Sequence, residues 1–252
     1  MRTIRMIGVS LAGCVLAASA LAAEVKVLTA GAFKPVVTAL APEFEKQSGH
    51  KLAIVNDTVG ALTKRIANGE TFDVVVMTPQ AIEQLVEAGK VAGGTSARLA
   101  RVAIGVAVKQ GAPVPDIHDV EAFRKTLLAA RAVAYIDPAA GGSSGVYLAQ
   151  LFEKMGIAQD IKSKAVLVPG GLVAQRVVNG EADIAIHQIS EIRAVTGATL
   201  VGPIPVEVQN YTVYAGGLSA TPSDEAGAKA LLLLLGSARA RAVLTEKGME
   251  AP

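Results

Sequence analysis

One stretch of this chain is written twice. Residues 176–192 read RVVNGEADIAIHQISEI, and residues 65–82 read RIANGETFDVVVMTPQAI. Arg176 matches Arg65, the Asn-Gly-Glu triplets at 179–181 and 68–70 match, and Asp183 matches Asp73 across a one-residue gap. Asn-Gly punctuates a helix end, so each copy predicts a helix, a turn, a short strand and the polar opening of a further helix. DIAI (183–186) and FDVVVM (72–77) are too short for helices and are apolar almost throughout, which predicts buried parallel strands. Ligands of open α/β sheets sit beyond the carboxyl ends of such strands. That rule puts His187 and Gln188 on one wall of a cleft and Thr78 on the other, with two similar lobes facing one site.

The first 23 residues stand apart. Arg2 and Arg5 precede an apolar run over 6–19, and Ala20-Leu21-Ala22 forms an A-x-A cleavage signal, so residues 1–23 predict a secretory leader cut near Ala22-Ala23. The run is shorter than the roughly 20 residues of a membrane span. Leu11-Ala12-Gly13-Cys14 also resembles a lipobox, but cleavage there would leave an apolar tail instead of a polar tether. Cys14 is the chain's one cysteine, so a mature protein without it has no disulfide, thiolate metal site or cysteine nucleophile. Such a chain relies on its core alone, and its length suffices for one. Without Arg2 and Arg5 the 24 basic residues fall to 22 and balance the 22 acidic ones. With no basic run and no Trp, nothing points to nucleic acid as partner.

Apolar runs alternate with helical patterns along the rest of the chain, which is the α/β signature. Strands are predicted at 25–30, 51–56, 72–77, 102–109, 133–136, 165–168, 183–186, 198–202 and 208–216. Helices are predicted from Lys34-Pro35 to Gly49, at 61–67, 79–88, 119–130, 145–155, 172–178, 223–236 and 238–247. Val36, Val37, Leu40 and Phe44 form the stripe of the first helix, which Pro42 is expected to kink or split. The leucine run at 231–235 predicts a helix buried on most sides. The order places 24–105 plus 212–252 in a discontinuous first lobe and 106–211 in a second, joined by two crossover strands.

This organisation resembles the type II periplasmic solute-binding proteins, and within them the molybdate-binding-protein family. LTAGAFKPVV, GALTKRIANGETFDVVVM, IDPAAGGSSGVYLAQLFEKMGI and ADIAIHQISEI carry the resemblance over nearly the whole chain after the leader. It implies two mixed, mainly parallel sheets flanked by helices, a periplasmic location and a small anionic ligand in the cleft. It also implies an ABC permease as partner where the protein is a transport receptor, and a monomer. Where that family carries hydroxyls for its oxyanion, this chain has Ala32 in the first turn and only Thr58 in Thr58-Val59-Gly60. Where it carries a tyrosine, this chain has His187. Those departures favour a polycarboxylate over molybdate. The same family includes a periplasmic aconitate isomerase, so the resemblance implies either an isomerase or a receptor.

Several residues are candidates for the ligand. Helix N-termini expose unpaired N–H groups and favour anions, which brings forward Ala32, Phe33 and Lys34, then Thr58 and Gly60, then Ser143, Ser144 and Gly145, and finally Gly170 and Gly171. The serines could instead be plain helix caps. Lys34 opposes the helix dipole, which a bound anion would offset, or else it is simply solvated. Asp57 and Asp137 read as helix caps. His187 alone among three histidines ends a strand of the repeat, where imidazole can take and return a proton near neutral pH; the alternative is a histidine satisfied by hydrogen bonds in the core. His50 and His118 read as surface loop residues. No histidine pair has metal-ligand spacing, so neither metal nor other cofactor is expected.

Overall fold

The computed structural model describes residues 24–252; the leader expectation at 1–23 lies outside them. In chain order the elements open with β1 (Glu24–Ala30), a short 3-10 turn (Gly31–Phe33), α1 (Lys34–Ser48), β2 (Lys51–Asp57), α2 (Val59–Ala67), β3 (Val74–Met77), α3 (Pro79–Glu87) and β4 (Ala97–Val102). There follow β5 (Ile104–Lys109), α4 (Val120–Ala129), β6 (Val133–Ile136), α5 (Ser143–Lys154), α6 (Ala158–Lys162), β7 (Ala165–Val168) and α7 (Gln175–Val178). The chain closes with β8 (Ile184–Gln188), α8 (Ile189–Ile192), β9 (Ala198–Pro203), β10 (Thr212–Leu218), α9 (Glu225–Leu235) and α10 (Ala238–Glu246).

These strands form two five-stranded sheets, ordered β2-β1-β3-β10-β4 and β7-β6-β8-β5-β9. Pairing is evenly divided. In each sheet the two ladders on one side are parallel and the two on the other antiparallel, where the run pattern had suggested a parallel majority. Both repeated strands are central: β3 lies between β1 and β10, and β8 lies between β6 and β5. That position, covered on both faces, is why their sequences run apolar without alternation.

The repeat explains itself in the hydrogen bonds at the strand starts. In one copy Arg65 pairs with Glu70, and Asp73 accepts the Lys26 N–H at 2.7 Å while donating its own N–H to the Lys26 carbonyl at 2.8 Å. In the other, Arg176 pairs with Glu181, and Asp183 accepts the Arg131 N–H at 2.7 Å. Gly69 and Gly180 hold φ of 95° and 77°, a conformation open mainly to glycine. Each copy thus pins the amino end of a central strand to its parallel neighbour.

Packing follows the predicted stripes. Val36, Val37, Leu40 and Phe44 of α1 are buried against α9 and α10 through Leu231, Leu235, Val243 and Leu244. Each such side chain contributes roughly 1.5–3 kcal/mol by leaving water. Two differences have clear causes. First, α1 runs through Pro42 as one helix, because Pro42 and the Thr38 carbonyl it orphans both lie on the exposed side. Second, the leucine run is amphipathic and not mostly buried: Leu231 and Leu235 face the core, while Leu233 is 76% exposed.

Asp73 is buried and also accepts the N–H and hydroxyl of Ser223 at 2.6 and 2.8 Å, whereas Asp183 is half exposed. Asp73→Ala is therefore expected to cost roughly 2–3 kcal/mol in urea unfolding, since it strands buried donors, and Asp183→Ala about 1 kcal/mol or less. Equal costs would mean the two anchors are equivalent despite their burial.

Candidate functional site

The carboxyl ends of β1, β2, β6, β7 and β8 converge where the two sheets face each other. Their loops line one small cavity of about 30 Å³, bordered by Gly31, Ala32, Asp57, Thr58, Ser143, Ser144, Gly171, His187, Gln188, Glu191 and Tyr214, among others. The jaws are shut. Thr58 Oγ1 donates to the Ala140 carbonyl at 2.5 Å, the Gly60 N–H donates to the Gly141 carbonyl at 3.2 Å, and Ser190 Oγ donates to the Ala32 carbonyl at 2.8 Å. A cavity this size is far below the roughly 300 Å³ of an ordinary small-molecule pocket.

Of the residues singled out from sequence, Ala32, Thr58, Ser143, Ser144, Gly171, His187 and Gln188 meet here. Ser144 is buried, its hydroxyl has no partner among the described residues, and the helix cap is Gly142, so neither serine is the plain N-cap. Thr58 does cap α2, accepting the Ala61 N–H at 3.1 Å, and its hydroxyl proton is given to the opposite jaw. Asp137 caps the 3-10 turn after β6 as expected, but Asp57 is not a helix cap: it accepts the adjoining Thr58 N–H, and Thr58 takes the cap of α2.

The remaining candidates lie elsewhere. Phe33 is wholly in the core beside the Tyr214 ring, 6.3 Å between centroids. Lys34 is exposed and lines a separate chamber. Gly60 serves jaw contact: a Cβ there would stand 2.9 Å from Gly141 Cα. Gly145 serves packing, because its Cβ would meet the Ile136 carbonyl oxygen at 2.2 Å. Gly170 lies beside Asp57 without lining the cavity. Thr78 stands at the amino end of α3 without a side-chain cap bond and also falls outside the cavity, so the first copy of the repeat lends support, not a wall. His50 is no free loop residue, since its Nδ1 lies 3.0 Å from Asp224 at the start of α9. His118 is exposed and paired with Asp116 at 2.7 Å.

At the floor sits the pair that sequence reasoning half missed. His187 Nε2 lies 3.1 Å from Glu191 Oε2, both side chains almost fully buried. Burial pushes the imidazole down to about 3 and the carboxyl up to about 8, because each loses its charged form's hydration. The consistent state at neutral pH is a protonated Glu191 donating to a neutral His187. His187 Nδ1 then carries the ring proton and finds no acceptor among the described residues. Burial, then the nearby Glu191, also raise the Tyr214 phenol, keeping it protonated. Gly31 makes room: a Cβ there would sit 2.6 Å from Glu191 Oε1.

A usable signal for Glu191 existed. Aligned on Asp73 and Asp183, Met77 and Ala81 of one copy become His187 and Glu191 of the other. Met77 and Ala81 are buried. A titratable pair four residues apart stands where its twin keeps two apolar core residues.

Two outcomes follow. Glu191's folded value lies above its unfolded one, so its stabilising contribution is full below about 4.5 and is lost as pH rises towards about 8. Glu191→Gln, whose amide imitates the protonated acid, is expected to flatten the fall in melting temperature between pH 5 and pH 8; an unchanged slope would mean Glu191 is ionised. Gly60→Val is expected to hold the jaws apart, a clash of about 1–3 kcal/mol in the closed form alone, so ligand affinity falls about tenfold or more. Unaltered affinity would show that ligand does not need closure.

The chain is similar to known proteins in both sequence and fold. A profile of the family described as bacterial extracellular solute-binding protein matches residues 25–250. An aconitate isomerase from a Pseudomonas species is 37% identical over 230 residues, covering 89% of this chain and 86% of that one. The molybdate-binding protein ModA of Azotobacter vinelandii is 31% identical over 192 residues, 73% of this chain and 72% of its own. A solved periplasmic molybdate-binding protein of Azotobacter vinelandii superposes with a TM-score of 0.77 at 21% identity, over 90% of this chain and 99% of the other. The chain belongs to the bacterial extracellular solute-binding proteins, in the group that holds both the molybdate-binding proteins and aconitate isomerase.

Proposed function

We propose that the protein is a periplasmic isomerase of small polycarboxylates, interconverting cis- and trans-aconitate in the closed cleft. One observation carries this reading: a buried histidine–carboxylic acid pair faces a cavity otherwise lined by strand-end loops and a helix start. Binding a molybdate-like oxyanion calls for fixed donors and gains nothing from a proton carrier. The relative at 37% identity adds support.

The reaction needs one proton moved across three carbons. The pair holds a single proton; transferred to His187, it leaves Glu191 as a carboxylate base. Glu191 takes a proton from the methylene beside the double bond, and the electron pair spreads over the allylic carbons onto the adjoining carboxylate. Glu191 then returns the proton to the far allylic carbon, and the new double bond takes its geometry from the rotamer that the former methylene arm held when its proton left. Charge developing on the substrate carboxylate is met by His187 Nδ1–H, the Ser144 hydroxyl and the N–H groups at the start of α5. A carboxyl value near 8 suits a base that must also give its proton back at neutral pH. Closed jaws keep water from quenching the carbanion.

In the same reading, residues 1–23 are a leader cut near Ala22-Ala23, and 24–105 plus 212–252 and 106–211 move as two hinged lobes of a monomer. Among the described residues no helix is long and apolar enough to cross a membrane.

Purified protein incubated with cis-aconitate is expected to yield the trans isomer, followed by chromatography. Glu191→Gln and His187→Ala are expected to lower turnover by about 10²–10⁴-fold with smaller effects on binding. Stabilisation by aconitate without conversion would instead assign a receptor that delivers the anion to an ABC permease. Stabilisation by molybdate alone would overturn the carboxylate reading.

A further inference from the structure

Beside the closed cavity lies a second, larger chamber of about 490 Å³ that shares Gly31, Asn56, Gly171 and Glu191 with it. Its outer walls come from four elements: the start of α1, the turn after β7, the residues following α8 and the end of α10. Three cations stand there, Lys34, Arg193 and Lys247, against one fixed acid, Glu246. Arg193 Nη1 donates to the Glu246 carbonyl at 3.3 Å and Lys247 Nζ reaches Glu246 Oε1 at 2.7 Å. Lys34 makes no ion pair among the described residues and opens α1, where a positive charge opposes the helix dipole. The two spaces therefore differ in kind. The inner one is small, bordered by the Asp57 carboxylate, and holds the Ser144 hydroxyl and His187 Nδ1, unpaired among the described residues; the outer one is roomy and positive, with Glu191 forming part of the wall between them.

We propose that the outer chamber is a subsite for the one carboxylate of a tricarboxylate that lies farthest from the reacting carbon, with Lys34 and Arg193 as its specificity-determining residues. This rests on the carboxylate reading of the inner site and extends it to substrate class. The inner cavity, about 30 Å³, leaves no room for three carboxylates at once. A substrate placing its methylene at Glu191 must send one arm outward past Gly31 and Gly171, into the cations. A dicarboxylate lacks that arm and gains nothing there. The same cations raise the local concentration of polyanions at the cleft mouth, an effect that weakens with salt.

The test compares two ligands that cannot isomerise: tricarballylate, and methylsuccinate, which is tricarballylate without one terminal carboxylate. Affinities are measured by calorimetry at low salt for the wild type and for the Lys34→Gln/Arg193→Gln double variant. The wild type is expected to prefer the tricarboxylate by about tenfold or more, about 1.4 kcal/mol. The double variant is expected to lose most of that preference while binding methylsuccinate as before. Its unliganded melting temperature should hold, since both side chains are exposed. A preference retained in the double variant overturns the subsite and leaves the inner site standing. Failure of both ligands to bind the wild type overturns the carboxylate reading and the subsite with it. With cis-aconitate the same variant is expected to raise KM more than it lowers kcat; the reverse would move these cations into the chemical step.

Discussion

Two groups that each prefer water have been taken out of it together. His187 and Glu191 lie 3.1 Å apart at the meeting of the two sheets, and neither has a compensating ion of its own there. Burying one charge alone would be strongly unfavourable, so the pair stays neutral overall and holds one proton between two sites. Much of the local architecture serves that arrangement. β8 sets the histidine at its end, the turn into α8 brings the glutamate back over it, and Gly31 leaves the carboxyl its space. The jaw contacts at Thr58 and Gly60 then close the cavity in front.

The duplicated unit separates a shared anchored end of a strand from an end that differs between the copies. Arginine, glutamate and aspartate tie down the amino end of each copy in the same way, as the Lys26–Asp73 and Arg131–Asp183 bonds show. The carboxyl ends then diverge freely: one buries methionine and alanine, the other histidine and glutamate. Ordinary packing in one half thus provides the control against which the other half's buried acid stands out.

Much of the fold was legible because central strands and helix stripes write their burial into the chain. Val36, Val37, Leu40 and Phe44, the Gly49 stop and both copies of the repeat were readable this way. Three of the four edge strands, β2, β7 and β9, were readable as well, but β4 and the short α6 were not. β4, with Arg98 and Arg101 along it, carries charge that blunts an exposed sheet edge and so lacks an apolar run. The short α6 is too brief to show a period. For the site, backbone turns were legible from Gly-rich loops, but distance was not. Lys34 and Ser144 both follow strand ends, yet only the structure puts one outside and the other inside. Glycines were the least readable: Gly60 and Gly145 looked like ligand contacts and prove to be jaw and packing contacts, set by neighbours distant in sequence.

In the proposed function, a clamshell of the solute-binding kind gains proton transfer from a desolvated acid without a new fold. The account stands on the protonation state of Glu191. Carbon-13 NMR of side-chain-labelled glutamate, with the resonance assigned by its loss in Glu191→Gln, reads that state directly. The account requires a protonated carboxyl at pH 7 with a midpoint near 8. A carboxylate already ionised at pH 7, titrating in the ordinary range near 4, would contradict it.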